Sequence, residues 1–429
     1  MKKTASPSKF IRLNAFVFIG VMSLLPFHAF FTTWLGSNTG HLDLIRIWKE
    51  VIIVSLVPSL LYVAWSDIKL RNWLKSGLLP KLIMLYAILH LVIGWLAFAR
   101  GNVTTVALIY ALLVNLRFLG FFMLVLVVAS KTSVLRSSWK SYVLLPAVIV
   151  IIFGLLQLVL PHDFLKHFGY GSSTIPAFQT IDQKLSFRRI QSTLRGANPL
   201  GAYMLFVLPL FLLISGKAKR LIAQFCASIV MFFSYSRSAV LGLLVSAAVL
   251  AQPLIKWSKK IFISTMVAFC LFVPTVYLLR NNDIAQNTLF HTDEMSQSNI
   301  SSNASRLGEM KNGLTDIIHE PLGRGPGTAG PASFRNNRPA RIADNYFVQI
   351  GQEVGVIGVV LFGAILVVVG RALWLNREDE LSRVLFALLI GISVVNLVSH
   401  AWADDTLSYL YWGLTAVALA PVIMNKERK

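Results

Sequence analysis

Long runs of apolar residues recur along this chain and constrain its fold more than any other feature. A helix needs about 20 apolar residues to cross the hydrocarbon core of a bilayer, and the 429-residue sequence contains about twelve such runs. Only 14% of the residues are charged, whereas about a quarter are charged in a typical soluble domain. The pattern excludes an ordinary soluble enzyme and predicts an all-α, polytopic integral membrane protein. The expected spans are residues 12–34, 45–65, 79–99, 107–130, 141–160, 198–215, 220–235, 239–255, 261–279, 352–371, 383–400 and 406–424.

The first apolar run follows a basic N-terminal stretch and therefore resembles a secretory signal peptide. No convincing small-residue cleavage site follows it, and many further apolar runs do. We therefore expect this run to be an uncleaved first span.

The distribution of basic residues predicts the topology. The chain has 40 Lys and Arg against 19 Asp and Glu, a net charge of +21, which could indicate nucleic acid, anionic lipid or an anionic substrate. Short cytoplasmic loops are rich in Lys and Arg, and here 23 of the 40 fall at the ends and in alternate connections, whereas four short opposite loops hold only Arg100 and Arg237. We therefore expect a multi-pass membrane protein with both termini in the cytoplasm and no nucleic-acid partner. The 23 are Lys2, Lys3, Lys9, Arg12, Lys69, Arg71, Lys75, Lys81, Lys131, Arg136, Lys140, Lys217, Lys219, Arg220, Lys256, Lys259, Lys260, Arg371, Arg377, Arg383, Lys426, Arg428 and Lys429.

Two longer segments, 161–197 and 280–349, fall on the extracytoplasmic side and hold basic residues that the topology does not explain. Loops of this length are usually functional or disordered, and we expect the second to be catalytic. They separate N-terminal transmembrane helices (1–160), central helices (198–279) and C-terminal helices (350–429). The basic residues are Lys166, Lys184, Arg188, Arg189 and Arg195 in the first, and Arg280, Arg306, Lys311, Arg324, Arg335, Arg338 and Arg341 in the second.

Two short motifs place an arginine at an outer helix end. Arg195 begins the stretch Arg-Gly-Ala-Asn-Pro-Leu-Gly, in which Asn and Pro suit a helix start; a capped helix with an interfacial arginine is an equal alternative. Arg237 lies in the turn Ser-Tyr-Ser-Arg-Ser between two apolar helices. An unpaired arginine is costly near a membrane, which favours an inward-facing anion site over a side chain that snorkels to the interface.

Two further motifs follow in the second long loop. The segment from Arg306 continues into a stretch rich in glycine and proline around Arg324, whose glycines permit close backbone approach to a ligand, although it could be simply a turn-rich loop. It is not a Walker A loop. The segment Ala-Asp-Asn-Tyr-Phe then contains Asp344, which is either a general base or a helix N-cap.

No metal or cofactor is expected. The sequence contains no DxD or HExxH motif, and its histidines show no metal-ligand spacing. Cys226 and Cys270 lie within apolar runs and form no CxxC pair, which argues against a disulfide framework or a Cys-based zinc site. His400, Asp404 and Asp405 share a short outer connection and are secondary candidates.

Together, these four motifs resemble the O-antigen ligase and polymerase superfamily of bacterial membrane glycosyltransferases. Members have an Arg-Gly…Asn-Pro stretch, a Ser-Arg turn, an Arg…Pro-Leu-Gly-Gly-Gly loop and a His-Asn-x-Tyr/Phe segment before Glu-x-Gly-x-x-Gly. The likeness is specific over about 195–360, and Trp48-Lys49-Glu50 also resembles the family.

The resemblance implies a GT-C-like membrane enzyme that transfers a glycan from a polyprenyl diphosphate carrier to an acceptor hydroxyl, with inversion and without a metal. Its functional arginines would be Arg237 and Arg306, and the ligase histidine would fall on Asp344, which is a departure from the family. Asn345 and Tyr346 match the family and are expected to bind substrate. The remaining expected substrate-binding residues are Arg195, Arg324, Arg117 and Lys49.

The chemistry of the reaction supports arginines and a base independently of the resemblance. The diphosphate leaves with negative charge, and an arginine fork binds phosphate oxygens and stays protonated. The acceptor hydroxyl needs a base, for which Asp344 is the first candidate and His400 the fallback. The partners would be the lipid-linked donor, a glycolipid or glycan acceptor and the bilayer. A repeat-unit polymerase is the alternative in the same class, and a glycolipid transporter or flippase is the alternative in another.

Overall fold

The computed structural model describes residues 9–181, 184–251 and 302–425, and most of them are helical. The apolar runs form helices because a helix satisfies every interior backbone hydrogen bond within the segment, as a bilayer requires. The helices are α1 (Lys9–Leu24), α2 (His28–Thr39), α3 (Leu42–Arg46), α4 (Trp48–Ser66), α5 (Ile68–Ser76), α6 (Leu78–Ala99), α7 (Thr105–Ala129), α8 (Val134–Val159), α9 (Ala197–Phe211), α10 (Lys217–Phe233), α11 (Arg237–Ala251), α12 (Ser302–His319), α13 (Tyr346–Leu375), α14 (Glu380–Val395) and α15 (Asp405–Asn425).

The prediction of an all-α polytopic membrane protein is confirmed. Within the described residues, seven stretches are long and apolar enough to cross a membrane, and α9 and α11 are shorter apolar helices. Eleven of the twelve expected spans coincide with a helix, while the span expected at 261–279 lies outside the described residues. The only strands in the described part are β1 (Gln179–Ile181) and β2 (Lys184–Arg189), which form an antiparallel hairpin in the first long loop.

The first apolar run is a broken helix. Pro26 lacks a backbone N–H and lies in a 3-10 turn, Leu25–Phe27, that separates α1 from α2. Beyond the break, Phe30 of α2 packs its ring 5.0 Å from that of Phe168, in a 3-10 turn of the first long loop. The break therefore directs α2 onto this loop.

Hydrogen bonds and ion pairs between connections divide the bundle into two ends. At one end, called here the basic end, Lys131 pairs with Asp67 and Arg136 pairs with Asp379. At the other, called here the loop end, the hydroxyl of Thr104 donates to the carbonyl oxygen of Arg335 at 2.9 Å. In each case the joined connections were predicted to share one side of the membrane. Which end faces the cytoplasm remains a prediction.

The centre of the bundle is aromatic and is formed chiefly by α7 and α15. Phe118 and Phe122 of α7 pack against Trp412 of α15, with ring centroids 5.6 and 5.7 Å apart. A Cβ at Gly413 would lie only 2.7 Å from the ring of Phe121, so glycine permits this close approach. The α15 helix is consequently buried inside the bundle, while α6 leaves large apolar side chains such as Trp95 exposed, as a lipid-facing helix does.

Candidate active site

A cavity of about 550 Å³ opens at the loop end of the bundle. Five segments form it: α7, the start of β1, the residues that lead into α9, a 3-10 turn at Gly330–Arg335, and the connection between α14 and α15. The fold thus brings the first long loop, the second long loop and the His400 connection to one place. The lining residues are Tyr110, Val114, Gln179, Arg195, Gly196, Ala197, Asn198, Pro199, Pro331, Phe334, Arg335, His400, Ala403 and Asp404.

Two arginines provide the positive charge of the cavity. Arg195, which the sequence predicted, is exposed at the entry to α9. Arg335 lines the same cavity from the 3-10 turn of the second long loop. Its guanidinium is 4.5 Å from the centre of the Tyr110 ring, a cation–π contact. The sequence does not single out Arg335, because nothing distinguishes it from the other arginines of the second loop before the fold is known.

His400 and Asp344 form a pair at the edge of the cavity. The Nδ1 atom of His400 lies 3.9 Å from Oδ1 of Asp344. The His400 side chain is 13% exposed, and its Nε2 is buried without a hydrogen-bond partner among the described residues. Burial lowers the pKa of His400, and the carboxylate of Asp344 opposes this shift. The lowered pKa favours the neutral imidazole, which is the form that can accept a proton.

Asp404 is a second titratable group in the cavity lining. Its Oδ1 accepts a hydrogen bond from the backbone N–H of Leu407 at 2.9 Å. Burial and the adjacent Asp405 raise the pKa of Asp404 to about 6. The sequence places this residue in the right connection but cannot show that its side chain faces the arginines.

The structure separates the roles of Asp344 and its neighbours. The side chain of Asn345 caps α13, since its Oδ1 accepts from the backbone N–H groups of Phe347 and Val348 at 2.9 and 3.1 Å, and its Nδ2 donates to the Leu397 carbonyl. Asn345 is thus the N-cap of α13, and Asp344, the residue before it, lies beside His400. Tyr346 is completely buried and contacts Phe362 rather than the cavity.

The Ser-Arg turn packs directly against the Arg-Gly…Asn-Pro stretch. A Cβ on Gly201 would overlap the side chain of Ser236. Arg189 of β2 bridges the two segments by donating to the Ser234 carbonyl at 2.9 Å and to the Asn198 side chain at 2.5 Å. Arg237 begins α11 beside this junction but is absent from the cavity lining. Arg306 belongs to α12, and its side chain lies outside what the structure describes.

The glycine-rich loop packs against a kink in α13. Gly355 has φ +73°, and a Cβ there would overlap the Pro321 carbonyl oxygen. The preceding Glu353 is fully buried and accepts from the backbone N–H of Gly327 at 2.8 Å and from the Asn115 side chain at 2.6 Å. The Glu-x-Gly pattern therefore anchors the loop that carries the 3-10 turn of Arg335.

Arg324 occupies a separate position on the same loop. Its Nε and one terminal nitrogen both contact Oε1 of Glu320, at 3.0 and 2.5 Å. Arg324 lines a second, smaller pocket and does not line the cavity that contains His400.

The two cations predicted within the spans belong to a buried ionic cluster behind the cavity. Lys49 is 2% exposed, and its Nζ lies 3.0 Å from Asp405 and 3.3 Å from Glu50. Arg117 contacts Glu50 at 3.4 Å and donates to the Ala403 carbonyl at 2.8 Å. Both side chains pair with buried carboxylates, and neither lines the cavity. They contact the connection that carries His400 through Asp405 and the Ala403 carbonyl.

No group of three His, Cys, Asp or Glu side chains is arranged to bind a metal within residues 9–181, 184–251 and 302–425. The expectation of a metal-independent site remains a prediction.

Fold and cavity together define a multi-pass membrane protein with a cationic cavity and a histidine–aspartate pair at one end. Residues 222–363 match the family model described as O-Antigen ligase. The chain is also 24% identical over 219 residues to an O-antigen polymerase from Salmonella muenchen, which covers 47% of this chain and 53% of that protein. The chain thus spans about half the length of this curated relative. These comparisons confirm the resemblance to the O-antigen ligase/polymerase superfamily that the motifs indicated.

Proposed function

We propose that this protein is a membrane glycosyltransferase that moves a glycan from a polyprenyl diphosphate carrier to an acceptor hydroxyl. The observation that carries the proposal is that Arg195, Arg335 and His400 line one cavity at the end of a transmembrane bundle, with Asp344 3.9 Å from His400. The cavity provides cations for a diphosphate and a base for a hydroxyl, which are the two requirements of the reaction. Its position allows the polyprenyl chain to remain in the bilayer.

The arginines would stabilise the leaving diphosphate. As the bond between the anomeric carbon and the diphosphate oxygen breaks, its electron pair stays on that oxygen, and negative charge develops there. Preorganised guanidinium groups beside a low-dielectric region stabilise such charge strongly. Arg195 and Arg335 line the cavity, so we assign them this role. The motifs assign Arg237 and Arg306 to the same diphosphate, and both stay candidates.

His400 is the better candidate for the base, with Asp344 as the residue that orients it. The Nε2 of His400 has no hydrogen-bond partner among the described residues, and it would accept the proton of the acceptor hydroxyl as that oxygen bonds to the anomeric carbon. The Asp344 carboxylate stabilises the imidazolium that results, as in other aspartate–histidine pairs. A single displacement of this kind inverts the anomeric configuration. His400, the fallback base in the sequence analysis, thereby becomes the first candidate for the base, and Asp344 becomes the residue that orients it.

The positive-inside rule gives the proposed orientation. Basic connections cluster at the basic end, so this end would face the cytoplasm. The cavity would then open on the extracytoplasmic side of the inner membrane, where a flipped lipid-linked glycan is exposed.

A ligase and a repeat-unit polymerase fit the cavity equally well. The two reactions share the donor and the leaving group and differ only in the acceptor. The matched family model is described as a ligase, whereas the relative is a polymerase. Analysis of the glycan product is therefore needed to distinguish the two reactions. We keep the ligase as the leading assignment and the polymerase as its alternative.

The test is complementation of a deletion strain, with the cell-surface glycan analysed on gels. We expect Arg195→Ala, Arg335→Ala and His400→Asn to abolish or strongly reduce the mature glycan. Lys166→Ala, which removes an exposed cation from the loop end outside the cavity, serves as the matched control and should leave it unchanged. Single repeats in place of a ladder would identify a polymerase, and unattached long chains would identify a ligase. Full activity of Arg195→Ala and His400→Asn, alone and combined, would rule out the proposed site.

A further inference from the structure

A second polar pocket, of about 480 Å³, lies at the loop end and is not used by the proposed reaction. Two hydrogen bonds of Asn336 lie between this pocket and the His400 cavity. Its Nδ2 donates to the Asn102 carbonyl at 3.1 Å, and its Oδ1 accepts from the backbone N–H of Thr104 at 3.2 Å. The lining residues are Arg100, Asn102, Glu320, Pro321, Leu322, Gly323, Arg324 and Arg338.

The charges of this pocket do not cancel. Glu320 is engaged by Arg324 through Oε1, and its Oε2 lies 3.9 Å from Arg341. Among the described residues, no carboxylate forms an ion pair with Arg100 or Arg338, and the Arg338 guanidinium donates to the Gly101 carbonyl at 3.5 Å. Three guanidinium groups and one carboxylate therefore leave an excess of two positive charges in the lining.

The position of Arg100 is unusual for the topology. It is one of only two basic residues in the four short connections that the charge pattern assigns to the extracytoplasmic side. Arg100 thus lies where the positive-inside rule disfavours a cation, and it shares a concave pocket with Arg338 from a distant loop. This arrangement indicates an anionic ligand.

Apolar side chains around the pocket indicate that it lies at the membrane interface. Trp95 and Phe98 are 66% and 49% exposed in the last turns of α6, just before Arg100. On the other side, Leu322 lines the pocket and is 63% exposed. Aromatic residues concentrate at the level of lipid headgroups, so a ligand here would be held in the bilayer by its own acyl chains.

We propose that this pocket binds a phosphate group carried by a lipid. A phosphate monoester carries a charge of about −1.5 to −2 at pH 7, which matches the excess positive charge, and arginine forks suit its oxygens. The same chemistry is offered by a phosphorylated glycolipid and, with one charge fewer, by an anionic phospholipid. The site is distinct from the proposed catalytic cavity and does not depend on its activity.

The test measures lipid binding by the purified full-length protein in nanodiscs, followed by native mass spectrometry. Three compositions are compared: phosphatidylcholine alone, phosphatidylcholine with phosphatidylglycerol, and phosphatidylcholine with a phosphatidic acid, which carries a monoester. We expect Arg100→Gln/Arg338→Gln to weaken retention of the anionic lipid by about tenfold or more, the loss of two charge-assisted contacts. Lys166→Gln, which removes a cation elsewhere at the loop end, should not weaken it.

A second variant distinguishes a loss of lipid binding from a failure to fold. Asn102→Asp keeps both arginines and adds a negative charge to the lining, so it should also weaken retention of the anionic lipid. A larger loss for the monoester than for phosphatidylglycerol supports a phosphorylated glycolipid as the source, and an equal loss supports a phospholipid. Retention that is unchanged in both variants for both lipids would overturn the proposal.

Discussion

At the scale of single residues, the chemistry of the cavity depends on how the environment of His400 sets its ionisation. Burial lowers the pKa of this imidazole below its usual value, and Asp344, 3.9 Å away, raises it again. A base whose pKa is lowered stays deprotonated as the pH falls toward its ordinary range. The proposed reaction should therefore lose activity only below about pH 6.5, the ordinary value for histidine.

The first prediction concerns Asp344→Asn. The variant removes the negative charge that favours the imidazolium, so the acid limb of the pH–rate profile should move to lower pH. The turnover should fall by about 10²-fold, within the range for impaired general-base catalysis, because the charge that stabilises the imidazolium during transfer is lost. The measurement is the pH dependence of glycan transfer in vitro. An acid limb that stays in place or moves to higher pH would show that Asp344 does not act through His400.

The second prediction concerns the platform under Arg335. Tyr110→Phe keeps an aromatic face, whereas Tyr110→Leu removes it. Because an exposed cation–π contact contributes about 0.5–1 kcal/mol, Tyr110→Leu should raise the KM for the lipid-linked donor by about two- to fivefold. Tyr110→Phe is the control and should stay near the wild-type value. Equal behaviour of the two variants would mean that the ring does not position Arg335.

At the scale of elements, the kink of α13 and the glycine-rich loop form one unit. Gly355 has a left-handed backbone conformation and lies against the Pro321 carbonyl, while Glu353 holds the loop by its backbone. The loop leads to the 3-10 turn that presents Arg335. A change in the kink is therefore expected to act on the cavity from a distance.

The third prediction compares two glycines of this helix. Gly355→Ala introduces a Cβ where backbone occupies the space and where φ is positive, so it should destabilise the protein by about 1–3 kcal/mol. Gly363→Ala is the matched control, since nothing lies within 4 Å of its Cβ position. The measurement is thermal unfolding of the detergent-solubilised protein. Equal midpoints for the two variants would contradict the proposed packing of the kink.

At the scale of the whole molecule, the buried ionic cluster joins α2, α4, α7 and α15 behind the cavity. Its members are His28, Lys49, Glu50, Arg117 and Asp405, and the Nζ of Lys49 also lies 3.0 Å from Nε2 of His28. Removing one partner of a buried ion pair leaves an uncompensated charge, which costs about 3–5 kcal/mol.

The fourth prediction follows from this linkage. Lys49→Met and Asp405→Asn should each strongly lower the yield of folded protein, and the double variant should recover part of it because neither charge is then left alone. The yield is measured by size-exclusion chromatography after extraction in mild detergent. Additive losses in the double variant would show that the two residues act independently.

The fifth prediction tests the orientation of the bundle. In a background with Cys226 and Cys270 replaced by serine, a cysteine at exposed Ser173 should react with a membrane-impermeant maleimide in cells whose outer barrier is permeable to it. A cysteine at exposed Ser133, at the basic end, should react only after the inner membrane is opened. The reverse pattern would invert the topology that the basic residues predict.

The sequence by itself determined the class of fold and the sidedness that we predict. An apolar run in a bilayer forms a helix because its backbone hydrogen bonds are then satisfied within the segment, so eleven of the expected spans coincide with helices located one by one. The motifs also indicated the resemblance to the O-antigen ligase/polymerase superfamily, because their order along the chain is a property of sequence.

Only the tertiary structure decided which of these residues share a site. Arg195, Arg335 and His400 are far apart in the chain, and no local pattern indicates that they line one cavity. The fold also gives other predicted residues protein partners: Lys49 and Arg117 pair with buried acids, Asn345 caps a helix, and Tyr346 is buried. The physical reason is that a charge or a hydroxyl takes its role from its partners and its solvation, and both depend on long-range contacts between helices.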